Sequence, residues 1–325
     1  MKTSLRYFGA TFTSVLLLLV TACGSSSNSV TNESGANFPT NTIEIIVPWS
    51  AGGSSDLTAR ALAEAMNDTI DQNVVVINKE GAGGTIATAE VAARQPDSHT
   101  ILFNANGVFS TQPQLTDVTY SLNDFRPVSG LTVEPIVLLV NAESDWETIE
   151  DLSNETERIT YGHSGTGGLP DLAQVSFFNQ SGVEAESVAY DGQNLAVTAL
   201  LGGHVDTVAA HPGDTMQYVE SGALKVLGVF SSERMEDYPE VPTFEENGYP
   251  IDMSVWKFLL VSQSIPVDQF EELTNIVNKA LEHPSYKSSL ETANLTADEL
   301  SGEEVLEKLE RDIAEHKELI ESGDY

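Results

Sequence analysis

The stretch "IIVPWSAGGSSDLTARALAEAM", Ile45 to Met66, decides the reading of the chain. A β-branched apolar run ends at Pro48, which cannot donate to a ladder, and a helical pattern begins beyond Ser55. Between them, Ala51-Gly52-Gly53 lets the backbone turn tightly, with Ser54 or Ser55 expected as the helix cap. Leu57, Ala61 and Ala65 form one expected buried side of the helix, with Leu62 and Met66 beside them. A strand, a glycine turn and a helix in this order aim unpaired N–H groups and the positive end of a helix dipole past the strand's carboxyl end. An oxyanion is the natural guest. A nucleotide is disfavoured, because the loop lacks the lysine of GxxxxGK[ST] and does not spell GxGxxG. A glycine pair that merely makes a tight connection is the plain alternative for this loop taken alone.

The same unit recurs along the chain. "IEIIV" (43–47), "VVVI" (74–77) and "TILF" (100–103) are strand-like, with helical patterns over 57–66 and 85–93 between them. A second series begins at "RITYG" (158–162) and runs through "ESVAY", "HVDTVAA" and "KVLGVF". Strands alternating with helices predict parallel sheets covered on both faces, and two series in a chain of 325 residues predict two domains. The extended run "LTVEPIVLLVNAESDW" separates the series. After the second, the chain returns to an apolar strand at Trp256 to Val261 and then to helices, the last over 302–321 with Val305, Leu309, Ile313 and Ile320 on one stripe. If these helices rejoin the first domain, the chain crosses twice, and two lobes joined by two strands make a hinge beside a cleft. Polar loops follow the other strands too: "NKEGAGGT", "NANG" (104–107) and "YGHSGTGGLPDLA". Such loops at strand carboxyl ends, spread over two domains, are what a ligand cleft requires.

The amino-terminal residues point outside the cytoplasm. Lys2 and Arg6, the apolar run Val15–Val20 and small residues up to Cys23 read as a signal peptide over 1–22, since the apolar run is far below the ~20 residues of a bilayer span. "LVTAC" is similar to a bacterial lipobox, which makes Cys23, the chain's single cysteine, the expected lipidation site. The polar residues that follow read as a flexible tether over 23–41.

The charge excludes some partners. Fifteen Lys and Arg stand against 49 Asp and Glu, a formal net charge of −34, with a pI near 4.2. Nucleic acid is excluded as a partner for lack of a basic patch. Extreme acidity also accompanies disorder, but 41% hydrophobic residues and clear periodicity oppose it. An acidic shell around a folded core suits a saline or alkaline exterior, where salt screens self-repulsion. No metal site and no cofactor are expected, as the six histidines form no HxxxH or HExxH pair.

Beyond these readings, "VPWSAGGSSDLTARALAEAM", "VVVINKEGAGGTIATAEVAARQPDSHTILF", "YGHSGTGG" and "ALLGGHVDTVAA" closely resemble the solute-binding proteins of tripartite tricarboxylate transporters, the TctC or Bug family. The resemblance runs from about Ile43 to Val261. It implies a fold like the type II periplasmic binding proteins: two α/β domains, 42–137 plus 255–325 and 138–254, joined by two crossing strands around a ligand cleft. It implies no catalysis and a monomer that captures a small carboxylate, a tricarboxylate, dicarboxylate or similar. By the same resemblance, delivery is expected to be to the membrane permease subunits, and with the lipobox the protein is expected outside the cytoplasm, lipid-anchored to the membrane.

Family contacts carried onto this chain fall on Trp49, Ser50, Ala51, Gly52, Gly53 and Asp56, with Asn104 and Asn106 nearby. Across the cleft they fall on Ser164, Gly165, Thr166, Gly167 and Gly168, with Tyr190, Ala210 and His211. Gly202, Gly203 and Asp206 are expected to position. Asp171 and Asp191 depart from the pattern, where relatives carry His and a basic residue; both add negative charge near an anion site, and a solvated rim position is the plain reading of both. Asp191 is also a possible receiver of a ligand ammonium. Trp49 is expected to face the ligand and Trp256 the core.

Two other uses are weighed. A ligand-presenting sensor component for a receptor kinase would use the same binding event. A serine hydrolase using Ser164, Asp206 and His211 is poorly served, because GxSxG requires glycine where Thr166 stands and five residues separate the last two.

Overall fold

The computed structural model describes residues 38–322. The expected signal peptide, Cys23 and nearly all of the tether lie outside them. The last tether residues do not hang free: Phe38 packs partly buried against the first core, 5.0 Å from the His99 ring, and Thr40 N–H donates to His99 Nε2 at 3.1 Å. Among the described residues, no helix is long and apolar enough to cross a membrane.

The chain first builds β1 (Ile43–Val47), α1 (Ser54–Asn67), β2 (Val74–Asn78), α2 (Thr85–Ala93), β3 (Thr100–Ala105), the short turns α3 (Gly107–Ser110) and α4 (Gln112–Leu115), and β4 (Phe125–Pro135). It then crosses at Ile136 into β5 (Val137–Asn141), α5 (Ile149–Ser153), β6 (Ile159–His163), α6 (Leu169–Ser181), β7 (Ala185–Ala189), α7 (Gln193–Leu201), β8 (Thr207–Ala210), α8 (Pro212–Glu220) and β9 (Leu224–Val229). It returns through β10 (Ser254–Ser262) to α9 (Val267–Leu281), α10 (Pro284–Thr292), β11 (Thr296–Ala297) and α11 (Gly302–Ser322).

Two sheets result, ordered β11-β4-β10-β3-β1-β2 and β7-β6-β8-β5-β9. Both are mixed, which corrects the expectation of parallel sheets. The β1, β2 and β3 pairs are parallel, but β10 runs antiparallel to β3 and β4, and β5 antiparallel to β8 and β9. The reason is the double crossing: a strand arriving from the other domain enters against the direction of the βα units. The crossings run side by side, with Pro135 paired to Ser254 and Phe230 N–H donating to the Ile136 carbonyl at 2.7 Å.

The inner strands are covered on both faces, which is why β1, β3, β5 and β10 are mostly apolar and buried without alternation. In the first, Ile45 and Val47 face Leu62, Met66, Leu273 and Ile276, while Ile46 and Leu102 face Val91, Trp256, Val305 and Leu309. In the second, Leu138 and Val140 face Phe177 and Phe244, and Val137 and Leu139 face Val197 and Leu200. The period-two split within β5 is the pleat itself. Trp256 is core, as expected, its Nε1–H donating to Asp312 Oδ2 at 2.7 Å. Leu57, expected to be buried, is 40% exposed, because α1 is covered by α9 and α10 on its Leu62–Met66 side.

Candidate ligand site between the domains

The loop after β1 is organised by a carboxylate of its own helix. Gly53 is the helix cap and no side chain caps the helix, so the expected cap at Ser54 or Ser55 is corrected. Asp56 Oδ2 instead accepts from Gly52 N–H at 2.9 Å and Arg60 Nε at 2.8 Å, and Asp56 Oδ1 accepts from Asn78. Burial opposes ionisation of Asp56, but these donors hold its carboxyl below the ordinary range. Gly52 has φ +86°, which a glycine adopts without strain. The Ser54 N–H is taken from across the cleft, by Asp214 Oδ1 at 2.7 Å.

The loop after β6 is built likewise. Gly167 N–H donates to Asp171 Oδ2 at 2.8 Å and Gly165 N–H to His163 Nδ1 at 3.2 Å. Asp171 is therefore buried beneath its loop rather than solvated at a rim, and burial raises its pKa despite His163 beside it. Asp191 is exposed, as the rim reading expected.

The two loops meet. Gln112 Nε2 and Thr111 Oγ1 donate to the Thr166 and Gly167 carbonyls, both at 2.6 Å, and Ser50 Oγ donates to Asn194 Oδ1 at 2.7 Å. Asn194 Nδ2 reaches the Ala51 carbonyl at 3.1 Å. A side chain on Gly165 would place its Cβ 2.5 Å from the Gly83 Cα.

These contacts surround a cavity of about 60 Å³. Of the residues expected to touch ligand, Trp49, Ser50, Gly53, Ser164, Gly168 and His211 line it. The others do not. Ala51, Gly52, Asp56, Gly165, Thr166 and Gly167 shape the loops or the contact between them. Asn104 bonds Thr88, Asn106 bonds Asp312 and the Ser254 carbonyl, Ala210 is core, and Tyr190 packs on the second domain's core. Asp206 is exposed and accepts from Thr160 N–H and Oγ1 at 2.7 and 2.8 Å. Asp206→Ala is expected to cost about 1 kcal/mol in a denaturant titration and to leave ligand affinity unchanged.

Sequence reasoning missed the cavity's buried charges. Lys257 of β10 is 1% exposed; its Nζ donates to Ser54 Oγ at 2.7 Å and is paired with the Glu134 carboxylate of β4. Burial alone would raise the pKa of Glu134, but the Lys257 charge holds it low. Burial lowers the pKa of His211, keeping the ring neutral at pH 7, and raises that of Asp214 against the pull of His211 and Lys257. Gln193, Asn194 and Gln112 were missed as well; the first two open a helix just after "YDG", a position like that of the loops already singled out.

The description "tripartite tricarboxylate transporter family receptor" matches residues 58–324 as a family model. The chain belongs to this family. The receptor is 32% identical over 260 residues to a UPF0065 protein from the tcbD-tcbE intergenic region of Pseudomonas sp. (strain P51), covering 78% of this chain and 77% of that one. It superposes on the periplasmic binding protein BugD with a TM-score of 0.82 at 28% identity, over 88% of this chain and 98% of the other. It shares its fold with MatC from Rhodopseudomonas palustris, solved with bound malate, at a TM-score of 0.81 and 24% identity over 87% and 100% of the chains. The receptor is thus a substrate-binding protein of extracytoplasmic type and not an enzyme. The hydrolase arrangement fails on its own geometry too, as the Asp206 carboxylate is engaged with Thr160 and does not line the cavity with Ser164 and His211.

Proposed function

We propose that the receptor captures a small carboxylate between its domains and delivers it to the membrane subunits of a tripartite tricarboxylate transporter. The observation that carries the reading is the pair of helices α1 and α6, one from each domain, that begin at the cavity with Gly53 and Gly168 on its wall. The positive ends of these two helices and the Ser164 hydroxyl favour an anion without a free cation in the site. Neighbours of the same fold support it: MatC was solved with malate, and Rpa4515 of R. palustris with adipate.

Trp49, Ser50, Gly53, Ser164, Gly168 and His211 are the contacts of this reading, and 42–137 plus 255–325 against 138–254 are its moving bodies. Closure is favoured by the contacts made only when both domains meet, those of Gln112 and Asn194 among them. Cys23 is the proposed lipid anchor, and the protein works as a monomer.

A thermal melt of the purified protein against citrate, dicarboxylates, aromatic carboxylates and amino acids tests the reading. A true ligand at 100 times its dissociation constant stabilises by ~2.7 kcal/mol, a rise of a few degrees. No rise with any carboxylate overturns it. Deleting the neighbouring permease genes separates delivery from presentation to a receptor kinase, since only delivery loses uptake.

A further inference from the structure

We propose that Asp214, Gln193 and His211 form a subsite for a primary ammonium, so that the ligand is a carboxylate that also carries a protonated amine. This deepens the function proposed above and rests on it. Three buried atoms on the second domain's wall of the cavity have no hydrogen-bond partner: Gln193 Oε1, His211 Nδ1 and Asp214 Oδ2. Their residues are 6%, 7% and 6% exposed.

Gln193 Oε1 and His211 Nδ1 are acceptors, and Asp214 Oδ2 is one when an adjacent cation holds its carboxyl ionised. The Gln193 amide nitrogen is spent on the Ala209 carbonyl at 2.7 Å, which fixes Oε1 as the free oxygen. His211 bonds the Pro135 carbonyl, and with Nδ1 unpartnered the donor of that bond is the other ring nitrogen, leaving Nδ1 a bare lone pair. Asp214 gives Oδ1 to the Ser54 N–H and keeps Oδ2. A buried acceptor left unmatched is costly, and a carboxylate brings no donor to relieve it. A hydroxyl brings one donor. An ammonium brings three.

The charges agree. Lys257 is already paired with Glu134, so it leaves Asp214 as the cluster's unmatched acid, and a ligand cation supplies the missing partner. A zwitterion would set its carboxylate toward Ser164 and the two helix starts and its amine toward Asp214. The acidic residue expected to receive an ammonium was Asp191, which is exposed and does not line the cavity.

Isothermal titration of the purified protein with three matched sets tests the assignment: L-alanine, L-lactate and propionate; L-aspartate, L-malate and succinate; L-glutamate, 2-hydroxyglutarate and glutarate. In at least one set the amino member is expected to bind at least about tenfold more tightly than both partners. Asp214→Asn is expected to remove that preference, weakening the amino member about tenfold or more and the others by less than about threefold. Gln193→Leu, a second variant, is expected to move the same ratio in the same direction. A hydroxy acid or plain acid that binds as tightly as its amino counterpart in every set, or an Asp214→Asn protein that folds and keeps the preference, overturns the ammonium subsite alone. So does a carboxylate without an amine as the only ligand of the melt panel. A flat response to every carboxylate overturns both readings.

Discussion

Lys257→Met is expected to lower the unfolding free energy by about 3–5 kcal/mol near neutral pH, measured by chemical denaturation of the ligand-free protein. The substitution nearly conserves volume, so the loss is electrostatic. It strands the Glu134 carboxylate at 2% side-chain exposure with Asp214 close by and no cation between them. The pH dependence distinguishes this from a packing defect. With Lys257 present, the folded pKa of Glu134 lies below its ordinary value, so its contribution is held above that value and lost as pH falls. Without Lys257, burial is left as the dominant influence and the folded pKa rises above the unfolded one. The variant then folds with a proton taken up, and its penalty grows as pH rises past the ordinary glutamate range. Adding Glu134→Gln removes the titration and is expected to recover most of the loss. A single variant within about 1 kcal/mol of the parent would mean that water reaches the pair and screens it.

Gly165→Ala is expected to weaken ligand binding about a hundredfold while leaving each domain folded. The residue has φ +132°, a region that disfavours a side chain, and its Cβ would sit 2.5 Å from the Gly83 Cα of the other domain. The Cβ is fixed by its own backbone and meets backbone, so no rotamer relieves it. The backbone strain is local to the loop, but overpacking of roughly 3 kcal/mol against Gly83 would fall on the closed arrangement alone, and every 1.4 kcal/mol is tenfold in affinity. Titration calorimetry with whichever carboxylate raises the melt reads the loss. A small-angle scattering profile of the variant should be more extended than that of the parent. A variant that binds normally would show that the loops separate without opening the cleft.

The sequence announced the fold where backbone chemistry is local. Pro48 and the Gly52-Gly53 pair end a strand and start a helix by their own conformational limits, and the glycine loops after later strands repeat the device. What sequence did not disclose depends on partners far along the chain. Leu57 has the right spacing for a buried face, yet which side of α1 is covered is decided by α9 and α10, more than 200 residues later. The direction of β10 follows from its arrival from another domain. At the site, loop residues were legible, while Asp214 engages Ser54 across 160 positions. Lys257 and Glu134 did leave a trace: each is a lone charge in an otherwise apolar extended run, and a charge at such a position is rarely buried unless paired. Two such lone charges of opposite sign, on the two strands that cross between domains, are a signal for a buried pair.

The packing of Phe38 and Thr40 at His99 has a mechanical consequence. His99 precedes β3, so the chain enters at the amino ends of the parallel strands, whereas the cavity is built at their carboxyl ends. A pull on the protein from its amino-terminal side therefore loads β1 and its neighbours within one domain and bypasses both crossings at Ile136 and Ser254. Tension on such a mooring would neither pry the jaws apart nor press them shut. The cleft would stay free to respond to its ligand, at the opposite ends of those strands from Phe38 and Thr40.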